Sequence, residues 1–362
     1  MAGRPRVFEF LLLRLIGQPH QTVFIAPLTT PGVSENDQSY IRCSHCRRRA
    51  IYYQRHSGRH LCRKHFLYDF EKRVRYAVKK YRMIESGDRI AIALSGGKDS
   101  VALTHFLMKL YGERKDLEFF AITIDEGIEG YRPPTVRIAR KVTKELGIEH
   151  VVVSFKDNFG MTLDEMVKLG DKKPCTYCGV FRKYLLNRTA REMGANKLAT
   201  AHNLDDETQT ILLNFLQSDI ERLARLIPQR VQKGLVMRIK PFREVYEKEV
   251  LIYCLVNSLP VDMNECPYSH FPVRAMVRDF LYEFENAYPG RKYSVMRSFE
   301  TLIPCLKEMF PQIELNECER CGEPTPSKVC QACVLLEELR KARKARNERD
   351  EGTEKLSRDS SS

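Results

Sequence analysis

Residues 84–245 predict an α/β domain built on a parallel sheet, with Cys-rich segments on either side of it at 41–83 and 313–340. Three observations carry this reading. Short apolar runs alternate with helical patterns, which places the strands in one sheet with helices on both faces. The runs are near-continuous in apolar character, as strands covered on both sides must be. Outside the domain the cysteines fall in closely spaced pairs, which sets those segments apart from the sheet.

The elements follow in chain order. Residues 1–40 show no amphipathic period and hold Pro27, Pro31 and Gly32 among Thr, Ser and Asn. We read them as a poorly ordered extension, or as upstream sequence from a wrongly chosen start codon. Residues 66–83 put Phe66, Phe70, Val74, Ala77, Val78 and Tyr81 on one helical face. DRIAIAL, 88–94, has the length of a buried strand, and a helix follows SGGKDS. Further strands are expected at 117–124, 148–155 and 197–201, with helices at 134–147, 180–194 and 205–216. Residues 246–312 read as mainly helical. The charged end, 341–362, lacks apolar anchors and reads as a frayed helix running into disorder.

The chain carries 60 Lys and Arg against 47 Asp and Glu, a net charge of +13, which favours a polyanionic partner such as nucleic acid. No apolar run reaches the roughly 18–20 residues of a membrane helix. The N-terminal FEFLLLRLIG is interrupted by Arg14, and no small-residue cleavage site follows closely. The expectation is a cytoplasmic protein without membrane spans. The 12 cysteines agree, since paired cysteines in a long intracellular chain mean metal more often than disulfides.

In IALSGGKDSVAL a strand ends at Leu94, two glycines bend the chain and a helix begins near Asp99. Gly96 and Gly97 allow close backbone approach, and the helix N-terminus offers free N–H groups to an anion. Ser95 and Ser100 add hydroxyls, and Lys98 adds charge. This strand–loop–helix context points to phosphate binding. The fourth strand ends in TAHNLDDE, which brings Asp205 and Asp206 to the same sheet edge. Carboxylates there suit Mg²⁺ or nucleotide orientation, although Asn203 or Asp205 can also cap the next helix.

Two four-ligand sets stand at the ends of the domain. Cys43, Cys46, Cys62 and His65 form one; Cys318, Cys321, Cys330 and Cys333 form the other. Complete sets of this kind imply two structural Zn²⁺ ions. Arg47, Arg48, Arg49, Arg63 and Lys64 make the first module basic, which suits a phosphate backbone. Five cysteines remain. Cys254 and Cys305 lie in apolar periods and read as core thiols. Cys175, Cys178 and Cys266 form a set of three without an evident fourth. An iron–sulfur cluster accepts three thiolates and leaves one iron open; persulfide chemistry is the alternative.

SGGKDS resembles the PP-loop of the ATP pyrophosphatase family, and so implies the adenine nucleotide alpha-hydrolase-like fold, ATP cleavage between the α and β phosphates, and Mg²⁺. The resemblance implies Ala93 and Ile124 as adenine contacts. TAHNLDDE is similar to the family's G-H-N-x-D-D, with Ala201 at the glycine. With DEGIEGYR (125–132), CTYCGVFR (175–182), LLNFLQSDIERLAR (212–225), ECPY (265–268) and CQACVLLEEL (330–339), residues 41–342 resemble the tRNA 2-thiolation enzymes. Two of these stretches resemble the wobble-uridine branch more than the T-loop ribothymidine branch. The resemblance implies a [4Fe–4S] cluster on Cys175, Cys178 and Cys266, and a ubiquitin-like carrier protein whose thiocarboxylate donates sulfur. Arg182 matches the family's basic active-site residue, and Asp206 completes the catalytic set. Adenylation of uridine C2 oxygen followed by sulfur displacement of AMP is the expected chemistry. The expected partners are tRNA, the carrier, and a second copy or a related subunit. The rival readings are other PP-loop enzymes (cytidine thiolase, lysidine synthase, glutamine-dependent synthetase) and a zinc-module RNA-binding protein without catalysis.

Overall fold

The computed structural model describes residues 40–226, 228, 232–269, 272–311 and 313–359. The expectation for residues 1–39 lies outside them. The centre is a five-stranded parallel sheet: β3 (Arg89–Ala93), β4 (Glu118–Asp125), β5 (Glu149–Ser154), β6 (Lys197–Ala199) and β7 (Met237–Ile239), in the order β5-β4-β3-β6-β7. The parallel α/β domain predicted above is therefore the fold. The three-residue edge strand β7 was not predicted; it is too short to show a period.

Alternation along β3 separates two cores. Ile90 and Ile92 join one cluster with Phe66, Phe70, Phe106, Phe242 and Tyr253, while Ala91 points to a second with Phe120, Phe155 and Phe181. The first cluster is covered by α1 (Arg63–Lys80), α2 (Lys98–Tyr111) and α9 (Glu247–Val256). Five of the six residues predicted to share one face of α1 are buried, and Tyr81 follows the helix. Phe70 stacks on Tyr253 at 4.6 Å and meets Phe242 edge-on at 5.6 Å. Each such ring contributes roughly 1.5–3 kcal/mol of burial.

The remaining helices are α3 (Arg132–Leu146), α4 (Phe155–Phe159), α5 (Leu163–Leu169), α6 (Pro174–Glu192), α7 (Leu204–Leu216), α8 (Ile220–Ala224), α10 (Pro272–Ala287), α11 (Arg291–Met309) and α12 (Gln331–Asp359). Three expectations change. The helix expected after CTYC starts before it: Pro174 takes the first turn, where its missing N–H costs nothing, so Cys175 and Cys178 lie on α6. Cys305 is exposed, because the covered face of α11 is that of Met296, Phe299 and Leu306. The charged end continues as helix to Asp359; Lys341–Glu337 and Lys344–Glu348 pairs one turn apart support it.

Hairpin β1–β2 (Tyr52–Gln54, Arg59–Leu61) belongs to the N-terminal Cys/His module, and β8–β9 (Asn316–Glu317, Pro324–Thr325) to the C-terminal one. Among the described residues no helix is long and apolar enough to cross a membrane.

Candidate active site

Strand β3 leads into the SGGKDS loop at the point where strand order reverses, between β3 and β6. Crevices at such switch points receive ligands. Gly96 has φ +87°, and a Cβ there would stand 2.1 Å from the Thr135 carbonyl oxygen. No other residue fits. Gly97 caps α2 with no side-chain hydrogen bond, which leaves the helix N–H groups to an incoming anion. Ser100 Oγ accepts from Ser95 N–H at 3.1 Å, donates to Gly97 O at 2.9 Å and lies 3.0 Å from Ser95 Oγ, so it shapes the loop. Lys98 pairs with Asp99 at 2.9 Å and Glu247 at 2.7 Å. Burial works against its charge, yet those carboxylates hold its pKa above the ordinary lysine value.

The end of β6 supplies the opposite wall. Asn203 and Asp206 form a reciprocal cap at 3.1 Å in each direction. Burial, with Asp99 and Glu247 nearby, pushes Asp206 up to about 6 against the Asn203 N–H. Asp205 is committed on both oxygens, to Lys292 at 2.5 Å and to the Glu247 N–H at 2.8 Å. Asp206 therefore has the freer oxygen of the two, with Asp99 close by through Asn203. His202 lies 3.0 Å from Thr200 Oγ1, and burial and Lys240 push it down to about 4. Ala201 is half-buried against the first core. Ile124 is buried and its carbonyl accepts from Arg132, whereas Ala93 is half-exposed at the strand end.

The three spare cysteines converge at this edge. Cys175 and Cys178 sit one turn apart at the start of α6. Cys266 lies in the loop after α9, and Cys175 Sγ is 3.4 Å from the Tyr268 carbonyl two residues on. That loop is tied to the phosphate loop by a backbone bridge between Gly97 and Asp262. Burial raises the Cys178 thiol to about 11 and also raises Cys266; Arg182 opposes both. Each of the three thiols lies within electrostatic reach of another, yet they do not share the tight spacing of the two terminal sets. Donors to one ion must crowd around it. Thiolates of a cluster bind different irons and stand further apart, and the set fits that requirement.

Arg182 links the cysteine site to Glu126. It donates to Cys178 Sγ at 2.9 Å and to Glu126 Oε1 at 2.6 Å. Glu126, 2% exposed, lies 2.6 Å from Arg132 Nε through its other oxygen, in a geometry too poorly aligned for a hydrogen bond. Arg132 in turn donates to the Ser95 carbonyl at 3.0 Å. A line of charge, buried at Glu126 and Arg132, thus runs from the phosphate loop to Cys178. DEGIEGYR contains both Glu126 and Arg132, but their roles escaped the sequence reading because their partners lie 37 and 56 residues away.

The terminal sets fit single ions. A tetrahedral ion with bonds of about 2.3 Å to sulfur sets donors about 3.8 Å apart, and about 3.6 Å for a sulfur–nitrogen edge. Cys46 and Cys62 sulfurs are 3.7 Å apart, Cys321 and Cys330 3.6 Å, and His65 Nδ1 lies 3.3 and 3.4 Å from Cys43 and Cys62. Against burial, N–H donors pull Cys43 and Cys318 down to about 6, which favours thiolate. The C-terminal set also braces α6: Ala332, Leu335 and Leu339 pack with Tyr177, Phe181 and Leu185, and Arg191 holds Glu323 at 3.0 Å. Cys330→Ser is expected to lower the melting temperature by roughly 5 °C or more and to raise amide exchange along α6. Unchanged exchange there would show that the module does not hold the helix.

Three family models match the chain: a PP-loop domain over residues 67–284, the N-terminal LIM domain of the 2-thiouridine synthetase TtuA over 42–67, and a zinc-ribbon over 316–345. The chain is 38% identical over 318 residues to the tRNA 2-thiolation protein NcsA of Haloferax volcanii, covering 83% of this chain and 99% of that one. It is 40% identical over 284 residues to the cytoplasmic tRNA 2-thiolation protein 1 of Chlamydomonas reinhardtii, covering 77% and 79%. The solved U34-tRNA thiolase NcsA from Methanococcus maripaludis with its [4Fe-4S] cluster superposes with a TM-score of 0.73 at 35% identity, covering 82% of this chain and 96% of that one.

Proposed function

The chain belongs to the PP-loop family of tRNA 2-thiolation enzymes, and from that membership we propose that it is a tRNA uridine 2-sulfurtransferase acting at the wobble position. ATP adenylates the uridine C2 oxygen. That oxygen attacks the α-phosphorus, the α–β bridge breaks and pyrophosphate leaves. A sulfur nucleophile then adds at C2, and the C–O bond breaks to release AMP with the former carbonyl oxygen. Neither half works alone, because a carbonyl oxygen is a poor leaving group until it is phosphorylated.

The observation that carries this reading is the tie between the two half-sites. The Cys266 loop is bridged to Gly97, and Cys178 is joined to Ser95 through Arg182, Glu126 and Arg132. Ser95, Gly96, Gly97, Lys98, Asp99 and Ser100 hold the ATP phosphates, with Asp206 and Asp205 at the Mg²⁺ edge and Ala93, Ile124 and Ala201 around the adenosine. Cys175, Cys178 and Cys266 would hold a [4Fe–4S] cluster, which when bound supplies an iron without a protein ligand, open to a sulfide. Arg182 keeps positive charge beside Cys178 while AMP departs. Zn²⁺ in each terminal set stabilises its module. Sulfur arrives from the thiocarboxylate of a ubiquitin-like carrier, in the cytoplasm, and the working form includes a second copy or a related subunit.

Incubation of the protein with a tRNA transcript, ATP, Mg²⁺ and sulfide under anaerobic conditions tests this. Nucleoside mass spectrometry should find 2-thiouridine at the wobble position, with pyrophosphate released only when tRNA is present. Thiolation confined to the T-loop would favour the ribothymidine branch. No ATP turnover with any tRNA would overturn the enzyme reading.

A further inference from the structure

A cavity of about 840 Å³ adjoins the cysteine site, walled by α6, α7, β7 and, among the other described residues, Arg222, Leu226 and Leu235. Cys175, Thr176 and Gly179 belong to its wall, and no residue of the phosphate loop does. Six cations line it: Lys183, Arg222, Arg225, Arg238, Lys240 and Arg243. Arg225 is paired with Glu221 and Arg243 with Glu207. Arg222 has Asp219 at 3.4 Å and Lys240 has Glu207 at 2.6 Å. Among the described residues, neither Lys183 nor Arg238 has an acidic partner within salt-bridge distance. Lys183 and Arg238 are both exposed at the cavity surface; partial desolvation there, with Arg238, Arg222 and Lys240 beside it, presses the Lys183 pKa below its ordinary value.

Two buried donors in the same wall are also left over. Asn214, 3% exposed, has no hydrogen-bond partner for its Nδ2, and Arg243, 2% exposed, makes no hydrogen bond from Nε or Nη2, although Glu207 lies 3.6 Å from Nη2 and the Tyr81 ring stacks on the guanidinium. Gathering like charges and unpaired donors destabilises a protein unless something accepts from them. The acceptor must be anionic and larger than one phosphate, since the volume lies in the range of whole-ligand pockets. ATP does not answer the description, because its phosphate loop lies elsewhere. An RNA strand does. A base that undergoes chemistry must leave its stack, and its flanking phosphates then need a place to rest.

We propose that this cavity holds the backbone phosphates next to the uridine being modified, with Lys183 and Arg238 as phosphate contacts and the Asn214 amide as a neutral donor. The inference rests on the thiolation reading, which brings RNA to Cys175. Its fingerprint differs from that of a structural role. Removing two unpaired cations relieves repulsion, so the variants lose RNA affinity without losing stability.

The test is tRNA binding across a salt series for Lys183→Gln, Arg238→Gln and the double variant, beside melting temperature and tRNA-free ATP binding. Each substitution should weaken binding by up to about tenfold and lower the logarithmic salt slope by about 0.7. ATP binding should be unchanged, melting temperature unchanged or higher, and Lys183→Arg should keep the wild-type slope. If the double variant does not fold, the single variants give the same reading. Wild-type affinity and slope in folded variants, alongside a wild type that thiolates tRNA, would overturn the cavity assignment alone. A wild type that neither binds nor thiolates tRNA would overturn the thiolation reading and this inference together.

Discussion

Cys266→Ala should abolish thiolation while both terminal sets keep their metal. Cys266 lies in a loop held by its own contacts: Ser269 N–H donates to the Cys266 carbonyl at 2.9 Å, and Tyr268 OH donates to Asp164 at 2.7 Å. The side chain is only half-buried, so its loss leaves a small cavity and little destabilisation. The chemistry suffers far more. With three thiolates available, loss of one leaves two, too few to hold a cluster and still present an open iron in a fixed place. Wild-type protein purified anaerobically should show visible iron–sulfur absorption and about two zinc ions per chain by elemental analysis. The variant should lose the absorption, keep the zinc and form no 2-thiouridine. Full activity in Cys266→Ala would remove this residue from the site. An active wild type free of iron would move the same three cysteines to persulfide chemistry.

Which parts of the fold and the site are legible in the sequence follows from the range of the interactions. SGGKDS was legible because a Gly pair between a strand and a helix is a local signal, and Gly96 at φ +87° against Thr135 supplies its physical reason. The two four-ligand sets were legible because their spacing is itself the signal, and their donor distances fit one ion each. The start of α6 was misplaced although Pro174 marks it. With the helix beginning there, Cys175 and Cys178 lie three residues apart on one helical face. Cys305 was misread because a periodic pattern shows that a helix has an apolar face, not that a neighbour covers each part of it. Lys183 and Glu126 were silent for a deeper reason. Their meaning depends on groups brought near by the fold, one through missing partners and the other through one buried and one exposed arginine.

Glu126→Gln is expected to damage both stability and catalysis, more than a single buried side chain ordinarily does. The substitution keeps shape and removes charge. Arg132, whose side chain is 4% exposed, is then left without a compensating anion. Breaking a buried pair from one side costs about 3–5 kcal/mol, because the surviving charge stays desolvated. Arg182 contributes less to that cost, since its side chain is 47% exposed and water screens it. A fall in melting temperature on the order of 5–10 °C follows for a chain of this size. The catalytic effect has a separate origin. Glu126 fixes Arg182 over Cys178 and Arg132 under the Ser95 carbonyl, so its loss frees both half-sites from each other. Thiolation should fall by more than the folded fraction accounts for, whereas ATP binding without tRNA should fall less. Adding Arg182→Gln to Glu126→Gln removes one unpaired cation, which should recover part of the stability and none of the thiolation. Such non-additivity marks residues that act as one unit. If Glu126→Gln melts and thiolates like the wild type, the charge line is packing alone and the two half-sites are held together by the Gly97–Asp262 bridge.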